Sequence, residues 1–211
     1  MTEPAGHVRR AYTDTLDSIA EKVSRLFALV GESLAAATDA FLAGDRDQVR
    51  AVREHEAEID ALELEIEREI ERTMLFQAPV AGDFHRLVCA LRIVPELERS
   101  GDLAEHIAKR AAKGLGSDLP PSVRGLIQQL GETVSGMWRT AADAFADGDH
   151  TVAERLDRID DDVNALHHRL WDELAASSIP TEVAMEMALV ARFYERLGDH
   201  ATHIAARLPK L

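Results

Sequence analysis

Cysteine, aromatic residues and lysine are all scarce in this chain of 211 residues, and each shortage removes a class of function. The single cysteine, Cys89, sits inside an apolar run and allows neither an internal disulfide framework nor a cluster of thiolate metal ligands. It reads as a small buried hydrophobe. Aromatics make up 5% of the chain while Ala, Leu, Glu and Arg dominate, a balance that favours helix over sheet. The shortage of lysine makes Schiff-base chemistry a poor fit. Gly-rich phosphate loops, nucleophile elbows and Cys/His zinc spacings are all missing, so an enzyme is not expected. The N-terminus lacks a basic segment followed by an apolar stretch, and no run of about 18 uninterrupted apolar residues occurs. A cytoplasmic protein with no direct membrane insertion is therefore expected. Bases are also short, 24 against 38 acids, for a net charge of −14. Such a surface repels phosphate backbones and argues against nucleic-acid binding. It suits cations or basic protein patches, and also plain solubility.

What the chain does have is helical periodicity. Hydrophobic residues make up 46% of it, enough to bury a core. Their spacing predicts six helices, over residues 12–42, 46–76, 83–114, 122–146, 149–177 and 180–208. Leu16, Ile19, Val23, Leu26, Phe27, Val30 and Leu34 recur at helical spacing in the first. Gly44 and Asp45 end that helix, and Ala78-Pro79 ends the second because a residue before proline avoids helical geometry. The Gly-Leu-Gly-Ser-Asp-Leu-Pro-Pro run over 114–121 reads as a linker.

The two halves are copies. Leu97-Glu98-Arg99-Ser100-Gly101-Asp102 returns as Tyr194-Glu195-Arg196-Leu197-Gly198-Asp199, an offset of 97 residues. Ala40-Phe41-x-x-Gly44-Asp45 returns as Ala144-Phe145-x-x-Gly148-Asp149, an offset of 104 residues. The second copy has therefore lost seven residues between its second and third helices. The expected fold is all-α, two tandem duplicated three-helix bundles over residues 8–115 and 120–209, with long antiparallel helices.

Chemistry, if any, lies in the acids. Glu98, Asp102 and Glu105 form one stripe of the third helix, bordering its apolar face. Glu195 and Asp199 repeat it in the sixth. Glu56, Asp60, Glu63 and Glu67 form a stripe on the second helix, and the 104-residue offset carries the first three onto Asp160, Asn164 and His167 of the fifth. Converging stripes offer oxygen ligands to hard cations or iron, and imidazole suits iron, nickel or zinc. With nothing positive between them, such carboxylates repel and their pKa values rise. The competing reading is a pair of solvated faces, with Arg99 and Arg196 pairing nearby acids. Mid-helix glycines at 101 and 198 each cost about 1 kcal/mol relative to Ala, and indicate close helix packing, room for a ligand, or both. His106 and His203 lie one turn past Asp102 and Asp199 and could extend the stripes. No Glu-x-x-His pattern occurs, which argues against a ferritin-type oxidase.

Arg92-Ile93-Val94-Pro95-Glu96-Leu97-Glu98-Arg99-Ser100-Gly101-Asp102-Leu103-Ala104 and Ala191-Arg192-Phe193-Tyr194-Glu195-Arg196-Leu197-Gly198-Asp199-His200-Ala201 resemble the PhoU family, the accessory proteins of phosphate-specific transport. The run from Ile59 to Glu67, the Gln77 to Asp83 turn and the opening Arg9-Arg10-Ala11-Tyr12 with Leu16 are similar to the same family, so the resemblance spans nearly the whole chain in order. It implies multinuclear sites for iron or zinc, carried here by Glu98 and Asp102, Glu195 and Asp199, Glu56 and Asp60, and Asp160 with Asn164. Asn164 departs from the acidic pattern. Ser100 and Leu197 stand where the family often has Ile, a change expected to alter packing little. The resemblance further implies a negative regulator of phosphate uptake and starvation signalling, contacting the ATPase subunit of a phosphate ABC transporter and a sensor histidine kinase. Long Ala-rich helix faces would also suit a homodimer. A metal-free helical adaptor and a carboxylate-bridged metal-dependent hydrolase are the alternatives.

Overall fold

The computed structural model describes residues 3–116 and 119–208, with the side chains of Arg10 and of Tyr12 onward. Ser117 and Asp118 of the expected linker, the side chains of Arg9 and Ala11, and the expected boundary at 209 lie outside the described residues. The chain forms six helices: α1 (Glu3–Ala43), α2 (Arg46–Gln77), α3 (Ala81–Ala111), α4 (Pro121–Asp147), α5 (Ala153–Ala176) and α6 (Thr181–Arg207).

Local chemistry sets the helix ends. Asp45 caps α2, its side chain accepting from the amides of Asp47 at 2.8 Å and Gln48 at 3.4 Å. Ala78 turns left-handed at φ 45°, and Pro79 then prevents the helix from resuming. Gly148, at φ 67°, closes α4 with its amide turned back to Phe145 and Asp149 bonded to Ala144. Pro121 opens α4 at a position where the missing N–H costs nothing. Two ends differ from the sequence reading. Helix α1 begins at Glu3, well before residue 12. Helix α5 begins at Ala153 rather than 149, because the Asp149 carboxylate accepts from the amide of Thr151 at 2.8 Å and from its hydroxyl at 2.6 Å. That local turn competes with helical hydrogen bonding.

Helices α1, α2 and α3 pack on one another, as do α4, α5 and α6, giving two three-helix bundles. The bundles join through α1 against α4 and α3 against α6, which leaves α2 and α5 on the outside. One hydrophobic core runs through both bundles. Within α1, the span Tyr12–Ala43 is long and apolar enough to cross a membrane by length and composition, with a mean hydropathy of 1.5 over an 18-residue stretch, yet 61% of that stretch is buried. Its place at the centre of the molecule, against α2, α3 and α4, accounts for the apolar composition.

The seam between bundles is polar at chosen points. Tyr194 is fully buried, and its hydroxyl meets Thr38 Oγ1 at 2.8 Å. Thr38 in turn donates to the Leu34 carbonyl at 2.8 Å, so Tyr194 is the donor in the first bond. Within the second bundle, Trp138 Nε1 of α4 donates to the Leu197 carbonyl of α6 at 3.1 Å. Ser100 was expected to matter little, and here the structure differs. Ser100 is fully buried and lies 2.9 Å from His200 Nδ1, while its hydroxyl donates to the Glu96 carbonyl at 2.6 Å. Glu96, itself 8% exposed, accepts from Arg207 Nη1 at 2.6 Å. The repeat explains the pairing: Ser100 and His200 occupy positions where the other copy has Leu197 and Leu103, both buried. The polar pair spans the seam once, and its duplicate positions are apolar.

Glycine on α4 is used in two opposite ways. A Cβ on Gly131 would meet Thr38 Cγ2 at 2.5 Å, whereas one on Gly136 would meet nothing within 4 Å. Gly136→Ala is therefore expected to raise stability by up to about 1 kcal/mol through helix propensity. Gly131→Ala is expected to lower it, the overpacking of the α1–α4 seam costing about 1–3 kcal/mol. Urea unfolding of the two variants beside the parent reads both signs in one experiment.

Candidate functional site

The outward hairpins, α2 with α3 and α5 with α6, carry the acid stripes. On α2 the buried residues Val52, Ile59, Ile66 and Ile70 face inward. Helical geometry then sets Glu56 and Glu63 half-buried on the flank, with Asp60 exposed beside them. On α3 the same logic holds Glu98, Asp102 and Glu105 half-buried beside Leu97, Gly101 and Ala104.

The structure brings these two stripes together. Glu56 is hydrogen-bonded to Asp102, with Asp60 and Glu105 close enough to act on it. Burial first, then Asp102, then Asp60 push the Glu56 carboxyl up to about 8. Burial, Glu98, Glu67 and Asp60 push Glu63 up to about 7, against a smaller opposing pull from Arg99. Glu98 is raised by burial and by Asp102 and Asp60. Glu105 is held by Lys109 at 2.5 Å.

The second hairpin matches by position and differs in chemistry. Asp160 is half-buried, and burial followed by Asp199 raises its carboxyl. Asn164 Nδ2 donates to Asp160 Oδ2 at 3.0 Å. Glu195 is raised by burial and by Asp199, while Arg192 pairs with its Oε1. Two carboxylate oxygens there, Asp160 Oδ1 and Glu195 Oε2, are buried without a hydrogen-bond partner. A buried unpaired carboxylate oxygen is costly, so it calls for a proton or a cation.

Both glycines have one structural cause. A Cβ on Gly101 would stand 2.8 Å from Ile59 Cδ1 and 2.9 Å from Glu56 Oε2. A Cβ on Gly198 would stand 2.8 Å from Asp160 Oδ1 and 3.5 Å from Val163 Cγ1. The offsets pair Glu56 with Asp160 and Gly101 with Gly198, so each hairpin uses a glycine notch to admit a carboxylate from the neighbouring helix.

These residues fit a cation. The donor atoms are oxygens, two of them have no partner, and the notches aim one carboxylate per hairpin at the facing acids. Among the described residues no three His, Cys, Asp or Glu side chains form a finished cage. Their oxygens are turned to protein partners instead: Glu56 to Asp102, Asp160 to Asn164, Glu195 to Arg192.

The two histidines that could extend the stripes are placed differently. His106 stacks on Phe193 of α6 with centroids 5.5 Å apart, and His203 is exposed. The Glu96, Arg207 and His200 cluster at the seam was missed by the sequence reading. Its signal was the mismatch between the copies at residues 100 and 200, where polar residues replace leucine.

The Glu56 carboxyl gives a pH prediction. It holds its proton to about 8 in the fold, against an ordinary value of 4.5. Between those values the unfolded chain binds fewer protons, so stability falls as pH rises through the window and is fully present only below it. Urea unfolding of chelator-treated protein from pH 5 to pH 8 is expected to show that decline. Glu56→Gln is expected to flatten it, and an added divalent cation to reverse it.

Comparison with known proteins places the whole arrangement. The family model described as the PhoU domain matches residues 23–111 and again 127–208. A phosphate-specific transport system accessory protein, PhoU homolog 2 of Mycobacterium bovis, is 30% identical over 204 residues, covering 95% of this chain and 96% of its own length. The PhoU homolog of Caulobacter vibrioides is 30% identical over 209 residues, covering 97% and 90%. Among solved structures, PhoU from Pseudomonas aeruginosa superposes with a TM-score of 0.87 at 25% identity, over 93% of this chain and 96% of that one. The PhoU structure from Streptococcus pneumoniae, with a TM-score of 0.84 at 19% identity over 93% and 94%, shares the fold.

Proposed function

The chain belongs to the PhoU family, and on that premise we propose that it is an accessory regulator of phosphate-specific transport that works by protein contact and not by catalysis. The observation that carries this reading is the collinear match of both bundles, at residues 23–111 and 127–208, to a family whose relatives are named as transport accessory proteins. In this reading the protein is cytoplasmic and restrains phosphate uptake and starvation signalling when phosphate is plentiful. Its partners are the ATPase subunit of the phosphate ABC transporter and a sensor histidine kinase, and it acts as a homodimer.

Metal belongs to the proposal. Glu56, Asp60, Glu98 and Asp102 would hold iron or zinc on the first hairpin, and Asp160, Asn164, Glu195 and Asp199 on the second. A bound cation supplies the positive charge that the facing stripes lack. That charge would fix the packing of each outer helix on its bundle. The protein's own residues do the rest: the glycine notches set the approach of the helices, and the apolar flanks keep water from one side of the carboxylates.

Affinity capture of the tagged protein from phosphate-fed cells is expected to recover the transporter ATPase and the kinase, and capture from starved cells much less of both. Recovery of neither under either condition overturns the partner reading. Elemental analysis of the same preparation is expected to find iron or zinc, and to find it depleted in a Glu98→Ala, Asp102→Ala, Glu195→Ala, Asp199→Ala variant.

A further inference from the structure

Helix α2 carries a row of side chains that neither the core nor the acid stripes use. Leu64, Arg68, Arg72 and Phe76 follow one another at four-residue spacing, the kind of ridge along which helices dock on one another. At a helical rise of 1.5 Å per residue the row is about 18 Å long. It borders an open groove of about 1030 Å³ between α1 and α2. Leu64 is 50% exposed and Phe76 is 76% exposed, although both are large and apolar. The fold does not require this row. The 104-residue offset carries Leu64, Arg68 and Arg72 onto His168, Asp172 and Ala176, where α5 ends.

Two unpaired arginines are unusual in a chain of net charge −14. On the facing helix, Lys22 is held by Glu65 at 2.8 Å and by Glu69 at 2.5 Å, and Arg25 by Glu58 at 2.9 Å. Among the described residues neither Arg68 nor Arg72 has a hydrogen bond or an ion pair. Two guanidinium groups one turn apart are thus open to carboxylates from outside. Leu64 and Phe76 end the row on either side of them. The order is apolar, cation, cation, apolar. Its complement is a helix with two acids one turn apart in the middle and apolar residues toward its ends.

We infer that the α1–α2 groove is the docking site for an acidic amphipathic helix of a partner protein, held by Arg68 and Arg72 and anchored on Leu64 and Phe76. This rests on the reading above that the protein acts by contact, and it does not depend on metal. Helices that dock in grooves use apolar anchors at helical spacing, and arginine and aromatic residues supply much of the energy of such contacts. The charge of the row decides the sign of the partner, since a basic helix would meet two like charges. An anionic bilayer fits less well. A flat surface would press on the exposed Glu71 as well as on Arg72 beside it, whereas a helix laid in the groove meets one row. A second copy of this chain brings its own net charge of −14 and is repelled over most of its surface.

The test uses the full-length protein and two fluorescein-labelled amphipathic peptides about three helical turns long. One carries glutamates one turn apart between leucines, and the other carries lysines in their place. Fluorescence anisotropy is expected to show the parent binding the glutamate peptide, and an Arg68→Glu, Arg72→Glu variant binding it about tenfold or more weakly. The same variant is expected to gain the lysine peptide, an exchange that loss of folding cannot produce. Phe76→Ser, at an exposed position, is expected to weaken the glutamate peptide with helicity unchanged. A parent that ignores the glutamate peptide, or a charge-reversed variant that binds it equally, overturns the inference. Sedimentation with phosphatidylglycerol vesicles that depends on Arg68 and Arg72, with no peptide binding, overturns it in favour of a lipid surface. Self-association abolished by the same variant, with no peptide binding, overturns it in favour of a second copy. If the peptide arms fail while affinity capture with the parent still recovers the transporter ATPase and the kinase, the inference falls alone. If capture recovers neither, the contact reading falls with it.

Discussion

The absence of a side chain at residues 101 and 198 is the constraint on which both hairpins depend. Each glycine lets the neighbouring helix approach until a carboxylate rests against its backbone, Glu56 at one and Asp160 at the other. The branched residue three positions on, Ile59 or Val163, enters the same notch. A Cβ at 101 would press on both Ile59 and Glu56, and one at 198 on Asp160, so in the first hairpin apolar packing and carboxylate placement share one structural cause. The cost is a helix-weakening glycine and a partly desolvated acid in each half. Tertiary contact offsets the first cost. The second is left to protonation, to a neighbouring amide or arginine, or to a cation.

The layout of the bundles decides who can reach these groups. Helices α1, α3, α4 and α6 form the contact between bundles, and their seam is closed by Tyr194 on Thr38 and Ser100 on His200. Among the described residues, α2 and α5 touch only their own bundle, so the stripes lie toward the outside while the seam residues Tyr194, Ser100 and His200 are buried. An ion can reach Asp60, which is exposed, without opening the core. Charge at the stripes and rigidity at the seam are thereby separated in space. That separation suits a protein whose relatives are named as accessory proteins of phosphate-specific transport.

Duplication supplies the framework and divergence the detail. The seam needs its Ser100–His200 contact once, so the equivalent residues Leu197 and Leu103 are buried and apolar. The hairpins need a notch twice, so glycine is retained in both. Between those limits the acid stripe has drifted, with Asn164 and His167 replacing carboxylates and Arg192 standing where the first copy has Pro95.

The sequence by itself determined the six helices, the duplication and the acid stripes, because helical spacing and capping chemistry act over a few residues and leave their period in the chain. It placed Glu56 with Asp60, and Glu98 with Asp102, on stripes bordering apolar helix faces, and it found Gly101 and Gly198 as one repeated feature. It missed the start of α5, where the Asp149 side chain holds Thr151 in a turn, and the early start of α1. Only the tertiary structure decided what those glycines face, which carboxylates meet, and that Ser100 and Glu96 are buried. Those contacts join residues roughly 40 to 110 positions apart, from Gly198 and Asp160 to Glu96 and Arg207, and no local period records a distance across the fold. His106 and Asp102 share a helix and differ by one turn, yet the first packs on Phe193 of α6 while the second meets Glu56 of α2. Which neighbour a helix face meets is set by the docking of the bundles and not by the sequence of that face.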